Sequence, residues 1–517
     1  MSGDSASARS SLVMYGICLP VAVFLGFLLV NIANDPYGSM VSKVLVGVLF
    51  MLMLLPLFMR YYHPWLIAVW SMAMVFTFLP GNPAGWTVMA LIGFVLAVGH
   101  YILNRERKFI SVPSITRPLI FLAVVVAMTA YLRGGIGLHV FGDESIGGKR
   151  YLLIWISIAG YFALTSQVIR PDKRKLMTAI FVLGGATAMI SDLGGMIGGP
   201  IQYLSVIFPM TDASTLAQQG AAGVERLGGL ANGCLCVALA LVAYFGVEKL
   251  LDPRKLWRPA LFGTALVLTM FGGFRGLLIS AIFTVGFVFY FEGLLRSRLL
   301  PKMLLGLVLL GTLILVFSDR MPLSLQRTIS FLPVKLDPVA KASAEESSNW
   351  RLEIWKSLLP QIPRYLILGK GLGIDFNDLA SYYEFGNSQV GGEVGGGFTA
   401  AGDYHSGPLS LIIQFGIWGA FGFLWLLVAS LKVLWANYKY GDPEIKQQNI
   451  YLLAFYIAKI LMFFAVFGSF YTDITVFAGL IGFSVSLNGG VAKPASVPRP
   501  KIVFNRFRPL PAPTAAA

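Results

Sequence analysis

The chain alternates long apolar stretches with short polar connections along most of its length. About fourteen stretches (12–14) are apolar enough, at about 20 residues each, to cross the hydrocarbon core of a bilayer as helices. The pattern therefore predicts an all-α polytopic membrane protein. The predicted spans are 11–32, 40–59, 65–80, 86–103, 117–132, 151–168, 176–198, 227–247, 259–274, 276–295, 302–318, 407–434, 450–470 and 474–490.

One long polar segment divides the predicted spans into two groups. Residues 1–318 hold about eleven of the predicted transmembrane helices, and residues 407–490 hold about three. The segment between them, 319–406, is too long for a simple connection, and loops of that length are usually functional or disordered. Residues 491–517 are predicted to form a disordered basic tail.

Part of the segment 319–406 has apolar residues at helical spacing, in the stretch SSNWRLEIWKSLLPQIPRY. This spacing predicts an amphipathic helix on the outer face of the bilayer, with Ser347 or Ser348 as its cap. The stretch LGKGLGIDFND follows it. That stretch lacks the strand context and the Lys-Ser/Thr ending of a nucleotide-binding loop, so it is interpreted as a solvated glycine turn.

Composition and charge fix the class of protein and its orientation. Hydrophobic residues make up 56% of the chain and the mean hydropathy is +0.73, which excludes a water-soluble domain. The formal net charge is +15, but more than half of the 40 basic residues lie in the short connections and the C-terminal tail on one side of the predicted membrane. This positive-inside pattern places both termini in the cytoplasm and the segment 319–406 outside. It explains the charge without nucleic acid binding.

Three arginines lie on the predicted outer side, two of them where a polar segment meets an apolar run. Arg226 precedes LGGLANGCLC, Arg275 lies in GGFRGLL, and Arg351 lies in the amphipathic stretch. A cation at such a boundary faces a polar cavity or reaches toward the lipid headgroups, and both interpretations stay open for Arg226 and Arg275. For Arg351 the spacing favours a contact with solvent or with lipid headgroups over a binding site. Guanidinium groups stay charged and bind phosphate oxygens with paired donors, so three that converge would suit a pyrophosphate.

A histidine marks the boundary between the segment 319–406 and the next apolar run, in DYHSGPLS. His405 can accept a proton near neutral pH, and a positioned base contributes about 10²–10⁴-fold to a rate. The alternative is a histidine that caps the next helix or binds loop backbone. Asp403 and Asp473 are the nearest acidic residues that could orient it, with helix N-capping as the alternative for Asp473.

The sequence predicts neither a metal site nor a cofactor. The three cysteines and four histidines show no ligand spacing, and the carboxylates between residues 375 and 403 are scattered.

Four stretches, in this order, resemble segments of the O-antigen ligase and polymerase superfamily of bacterial envelope glycosyltransferases. RLGGLANGCLCVALAL is similar to the family's Arg-led helix start, and GGFRGLL is similar to its Ser-Arg-Gly turn, with Phe274 in place of Ser. RLEIWKSLLPQIPRYLILGKGLG resembles its Arg-x-x-x-Trp helix followed by Pro and Gly-x-Gly. HSGPLSLIIQFGIWGAFGFLWLL resembles its His-Asn segment before a helix with Gly-x-x-Gly, with Ser406 in place of Asn.

The resemblance implies a C-type glycosyltransferase-like fold with one long periplasmic loop. It implies a metal-independent transfer of a glycan from undecaprenyl diphosphate to an acceptor hydroxyl, on the periplasmic side of the bacterial inner membrane. Carried over to this chain, it makes His405 the base that activates the acceptor and makes Arg275 and Arg351 the diphosphate ligands, supported by Arg226. The implied partners are the lipid-linked glycan, a lipid or glycan acceptor, membrane lipids and polysaccharide-assembly proteins, with no nucleic acid.

Several functions stay open at this point. A ligase and a polymerase differ in acceptor, which is the lipid A core for one and a second lipid-linked glycan for the other, and the sequence favours neither. An exopolysaccharide polymerase fits equally well. A transporter or flippase of lipid-linked sugars would need broken helices near the midplane, for which DLGGMIGGP at 192–200 is one candidate without a counterpart. A structural envelope protein is the last alternative.

Overall fold

Helices make up most of the computed structural model. It describes residues 61–77, 81–103, 109–134, 146–209, 226–373 and 404–494, with the single residues 53, 79 and 224. The predicted span 11–32, all of the span 40–59 except Met53, nearly all of the tail and Asp403 lie outside the described residues. The helices discussed below are α1 (Gly85–Leu103), α2 (Pro113–Arg133), α3 (Ile146–Leu164), α4 (Arg174–Leu183), α5 (Met189–Ile197), α6 (Gly228–Leu250), α7 (Trp257–Met270), α8 (Arg275–Phe291), α9 (Leu299–Phe317), α10 (Leu323–Thr328), α11 (Pro338–Leu358), α12 (Gly407–Tyr440), α13 (Lys446–Leu461) and α14 (Phe470–Asn488).

Most of the predicted spans that fall on described residues coincide with these helices. Eight helical segments in the described part are long and apolar enough to cross a membrane, and α8 is a shorter apolar helix. The predicted span 65–80 differs, because the chain is helical only to residue 69. Gly81 and Asn82 then have positive φ angles and reverse the chain, so that Val75 pairs with Ala84 just before α1.

The helices run between two ends of the bundle. One end, called the basic end here, holds the connections before α4, α7, α9 and α13. Contacts between these connections fix their common position: Arg174 forms a 2.9 Å ion pair with Asp442, and the N–H of Val247 donates to the Glu292 carboxylate at 3.0 Å. The opposite end, called the site end, holds the α7–α8 turn and helices α10 and α11. The four connections of the basic end are Pro171–Lys173, Pro253–Lys255, Leu294–Arg296 and Pro443–Ile445.

Aromatic rings fill the centre of the bundle. Phe423 of α12 is fully buried and meets the rings of Phe463, Phe470 and Phe477, with centroids 5.0, 5.3 and 5.4 Å away. Ring pairs at these separations add about 0.5–1.5 kcal/mol each beyond the burial of their area. The three helices nearest the C-terminus therefore form one packed unit below the site end.

Helix α9 has a different environment from the rest. None of its residues is buried, and it is apolar on every side. A helix of this kind needs apolar surroundings along its whole circumference, which a bilayer provides. The exposed apolar surface of α9 therefore supports the membrane assignment independently of the hydropathy count.

The amphipathic helix predicted in the segment 319–406 is longer than the sequence pattern indicated. It begins at Pro338, and the side chain of Asp337 caps it by accepting a hydrogen bond from the N–H of Val339 at 2.8 Å. The predicted cap at Ser347 or Ser348 is therefore wrong. Asp followed by Pro is a strong helix start, because the Asp carboxylate accepts an orphan N–H and Pro has none to lose.

The apolar face of α11 packs on protein. Ile354 and Leu358 are buried in a small cluster with Tyr365, Leu409 and Ile413. The prediction that this face lies on the bilayer surface is corrected accordingly. The cluster joins α11 to the first turns of α12, and so it fixes α11 over the site end.

A break in helix α12 joins the segment 319–406 to the bundle through backbone hydrogen bonds. Gly416 has a φ of 64° and interrupts the helix. Residues 366–371, called the paired segment here, run along the break. The N–H of Ile417 donates to Leu366 O at 2.7 Å, and the N–H groups of Lys370 and Gly371 donate to Ile413 O and Gln414 O at 2.7 and 2.9 Å. The backbone groups freed by the break are thus hydrogen-bonded.

The glycines of the paired segment are buried. Gly369 and Gly371 have φ angles of 70° and 81°, and both pack closely against neighbouring chain. Arg133 of α2 donates to Gly369 O at 2.8 Å, and the Tyr151 hydroxyl of α3 accepts from the N–H of Leu372 at 2.7 Å. The interpretation of this stretch as a solvated glycine turn is therefore wrong.

Candidate functional site

Arg275 is the first residue of α8 and lies at the site end. The tight α7–α8 turn, with a φ of 64° at Gly273, places it there. Its Nη2 donates to Ala344 O at 3.0 Å and to Ser348 Oγ at 2.9 Å, both on α11. Arg275, which the sequence places between two apolar runs, is thus hydrogen-bonded to the helix that carries Arg351.

Arg327 also lies at this end, and the sequence reasoning missed it. It is on the short helix α10, with only 6% of its surface exposed. Its Nε donates to Ser343 Oγ at 3.0 Å and its Nη1 donates to Gly273 O. The hydroxyl of Thr328 donates to Met270 O at 2.8 Å and fixes α10 to the α7–α8 turn. Arg327 therefore connects the turn that presents Arg275 to helix α11.

Arg226 approaches the same turn from the start of α6. Its guanidinium carbon lies 5.2 Å from the centroid of the Phe274 ring. Its side chain also packs against Gly273, where an added Cβ would lie 2.9 Å from Arg226 Cδ. Phe274, which stands where the family has Ser, thus supplies a cation–π surface for Arg226.

The charges of these arginines act on one another. Burial, followed by the nearby Arg226, Arg275 and Arg351, lowers the pKa of Arg327 to about 9, and Glu346 opposes this shift. Burial also lowers the pKa of Arg226. The structure therefore brings Arg226, Arg275 and Arg351 together around Arg327, and these four residues are called the arginine cluster. Like charges gathered this closely create a strong positive potential for an anion.

His405 is held between two aromatic rings. The centroids of the Trp350 and Phe467 rings each lie 4.9 Å from the centroid of the imidazole, and both rings meet it edge to face. The indole N–H of Trp355 donates to Tyr404 O at 3.0 Å and fixes the backbone before the histidine. His405 has a φ of 51°, an uncommon conformation for a residue with a side chain. Such conformations occur at functional sites, where the surrounding structure holds them.

Phe467 joins the histidine to the arginine cluster. The guanidinium carbon of Arg351 lies 6.0 Å from the centroid of the Phe467 ring, which also contacts His405. Phe467 directly follows a π-helical stretch, Met462–Val466, and its N–H donates to Met462 O at 2.8 Å. Because α11 carries both Trp350 and Arg351, His405 and the arginine cluster lie side by side.

The remaining candidates have structural contacts or lie outside the described residues. Ser406 is the N-cap residue of α12, and its carbonyl accepts from the N–H of Ser410 at 2.9 Å. The Asp473 carboxylate accepts the N–H of Ser469, the N-cap residue of α14, at 2.8 Å. This contact is of the helix-capping kind that was the alternative for Asp473. Asp403 lies outside the described residues.

Among the described residues, no three His, Cys, Asp or Glu side chains lie close enough together to hold a metal ion.

Comparison with known families agrees with this site. Residues 234–424 match the family described as O-antigen ligase, a range that includes Arg275, Arg327, Arg351 and His405, with Arg226 just before it. A comparison with curated proteins finds no match. The family match gives no support to the alternative of a transporter of lipid-linked sugars. Residues 234–424 of this chain thus form a domain of the O-antigen ligase and polymerase superfamily.

Proposed function

We propose that this protein transfers a glycan from undecaprenyl diphosphate to an acceptor hydroxyl. It acts as an O-antigen ligase or as an O-antigen or exopolysaccharide polymerase. The observation that carries the proposal is the position of His405 beside the arginine cluster, inside the family domain. One group can accept a proton while its neighbours bind an anion, and glycan transfer from a lipid diphosphate needs both.

The arginine cluster receives the leaving group. In the reaction the acceptor oxygen forms a bond to the anomeric carbon, and the bond from that carbon to the diphosphate oxygen breaks. The electron pair of the broken bond stays with the diphosphate, which gains negative charge. Guanidinium groups fixed before the reaction stabilise that charge without reorganisation. In this scheme the arginines provide the positive charge, and no metal ion is required.

His405 receives the proton of the acceptor hydroxyl. A base must lie within hydrogen-bond reach of that hydroxyl, so the imidazole has to keep one orientation. The rings of Trp350 and Phe467 limit its rotation from two sides. Their edge-to-face contacts therefore support the role of His405 as the general base.

The transfer takes place on the periplasmic side of the bacterial inner membrane. The basic end of the bundle carries short connections rich in Lys and Arg, such as Pro253–Lys255 and Leu294–Arg296. Connections of this kind stay in the cytoplasm. The site end is opposite, so this orientation gives the arginine cluster access to a diphosphate at the outer membrane surface.

The experiment that tests the proposal uses His405→Ala and Arg275→Ala in a strain that lacks the protein. Surface glycan and lipid-linked precursor are measured together. We expect both variants to lose surface glycan while the precursor accumulates on the periplasmic side, because flipping continues and transfer stops. Normal glycan from both variants, at wild-type protein levels, would contradict the proposal. The chain length of the glycan made by the wild type separates a polymerase from a ligase.

A further inference from the structure

A cavity of about 500 Å³ opens beside Arg275, and His405 is not part of its lining. Its walls are the loop after α10 and the first half of α11. Arg275 lines it, whereas the other three arginines of the cluster do not. The volume falls in the range of about 300–1,000 Å³ that is typical of sites for small organic ligands. A ligand held by the arginine cluster could thus extend past Arg275 into this cavity.

The cavity is positively charged. Lys335 and Lys341 line it together with Arg275, and Glu345 is the one acidic residue in its lining. Lys341 lies 3.9 Å from Glu345, so these two charges offset each other. Within the described residues the ammonium group of Lys335 makes no ion pair, and Arg275 binds only uncharged groups of α11. The lining therefore presents two uncompensated positive charges.

The loop that presents Lys335 is fixed where it leads into α11. The hydroxyl of Ser318 donates to Lys335 O at 2.9 Å. The side chain of Gln326 accepts the N–H of Asp337 at 2.6 Å and donates to Met321 O at 2.8 Å. A wall held in this way loses little conformational freedom when a ligand binds, which favours binding.

The same wall carries apolar groups between its charges. Leu332, Val334 and Leu336 line the cavity together with the polar groups of Ser348 and Asn349. A sugar ring presents hydroxyl groups along its edge and C–H groups on its faces, so a mixed wall suits a saccharide. The extra positive charge then requires an anionic substituent on that saccharide.

We propose that this cavity is a subsite for an acidic sugar, one that carries a carboxylate or a phosphate. This inference rests on the proposed function, because it places the acidic sugar in the glycan that the arginine cluster holds by its diphosphate. Lys335 binds the anionic substituent, and Arg275 is shared between the subsite and the diphosphate. The subsite thus selects glycans with a negative charge near their lipid-linked end.

A binding experiment tests the subsite without requiring transfer. The full chain in lipid nanodiscs is titrated with three disaccharides that differ in one ring: one carries a hexuronic acid, one a sugar phosphate and one the neutral sugar. We expect an acidic disaccharide to bind about tenfold more tightly than the neutral one, since a hydrogen bond to a charged group is worth about this much. The acidic disaccharide with the higher affinity identifies the charge carrier.

The variant Lys335→Gln removes the unpaired ammonium group and is expected to lose most of the preference for an acidic disaccharide, while Arg275 stays in the lining. Lys356→Gln is the matched control, because Lys356 is an exposed lysine of helix α11 outside the cavity. Equal affinity of the wild type for all three disaccharides, including no measurable binding, would overturn the subsite. A preference for acid that is as large in Lys335→Gln as in the wild type would overturn it as well. Neither result depends on the transfer assay. A failure of the proposed function would appear in that assay, and a failure of the subsite would appear only in the binding experiment.

Discussion

Arg275 and Arg327 hold neighbouring residues of the same helix from two distant parts of the chain. Arg275 donates to Ala344 O and Arg327 donates to Ser343 Oγ, each at 3.0 Å. Helix α11 then carries Trp350 and Arg351 two turns further on. The two arginines therefore help to position the residues next to His405, in addition to providing charge.

Replacement of Arg327 by Lys tests this double role. The guanidinium forms hydrogen bonds to Ser343 and to Gly273 O at once, and the single nitrogen of a lysine cannot make both. We expect Arg327→Lys to lower the free energy of unfolding by about 1–3 kcal/mol and to reduce glycan transfer at least tenfold. Thermal unfolding and a transfer assay measure the two effects. Arg320→Lys is the control at an exposed arginine nearby. Full activity of Arg327→Lys would remove Arg327 from the site.

The pH dependence of anion binding follows from the lowered pKa of Arg327. Burial is the main cause, Arg226, Arg275 and Arg351 add to it, and Glu346 opposes it. A bound diphosphate favours the charged arginine, so the pKa rises in the complex. Affinity is then complete below about pH 9 and falls as the pH rises through that value.

Titration with a diphosphate diester, which has no group that titrates between pH 7 and pH 10, measures this dependence. Wild-type affinity is expected to be flat up to about pH 8 and to decrease above about pH 9. Arg327→Met is expected to bind more weakly at pH 7. Its affinity is also expected to decrease less above about pH 9, because Arg327 no longer titrates. An identical pH profile in the two proteins would show that another group titrates.

His405→Asn separates the chemistry of the imidazole from the backbone conformation at this position. Asparagine tolerates the φ of 51° observed here but cannot act as a base near neutral pH. We expect the variant to reach wild-type levels in the membrane and to lose about 10²–10⁴-fold of the transfer rate. Transfer by His405→Asn at the wild-type rate would show that the residue serves only the backbone.

The break in α12 predicts a large cost for a side chain at Gly416. Its φ is 64°, and an added Cβ would lie 2.7 Å from Ile367 O. Gly416→Ala is expected to destabilise the protein by about 2 kcal/mol or more, measured by thermal unfolding. Gly263→Ala is the control, because Gly263 lies in α7 with nothing within 4 Å of the added Cβ. An unchanged unfolding temperature of Gly416→Ala would mean that the break is absent.

Single cysteines at the two ends of the bundle test the orientation. Lys356→Cys lies on α11 at the site end, and Lys255→Cys lies in a connection of the basic end. A thiol reagent that does not cross the membrane is expected to label the first in intact spheroplasts and the second only after lysis. Wild-type protein gives the background of the native cysteines. The reverse labelling would place the site in the cytoplasm.

Hydropathy predicted the helices of the described region well, because an apolar run of membrane length has few other stable forms. It failed at 65–80, where the chain reversal at Gly81 and Asn82 interrupts an apolar run. At this position the conformational preferences of the turn residues outweigh the apolar pattern. The start of α11 was also missed, although the Asp337–Pro338 pair was visible, because the interpretation relied on apolar spacing that begins only at Trp350.

The site was predictable in part for similar reasons. Arg275 and His405 lie at boundaries between polar and apolar sequence. A charged or titratable residue at such a boundary is a candidate for a functional site, so the sequence alone indicates both residues. Arg327 stands in SLQRTISF, which has the pattern of any short amphipathic turn. Its importance comes from Gly273 and Ser343, which are 54 and 16 residues away in the chain. Contacts at such separations leave no local signal.

The paired segment has a consequence for motion. Residues 366–371 supply the hydrogen bonds that α12 lacks at its break. The paired segment and the broken part of α12 therefore have to unfold together. The amide hydrogens of Lys370, Gly371 and Ile417 are expected to exchange with deuterium at one common rate, as members of a single cooperative unit. Helix α11 is joined to this unit through residues 359–365, and His405 immediately precedes α12. Slow opening of this unit would therefore move His405 and Arg351 of α11 together.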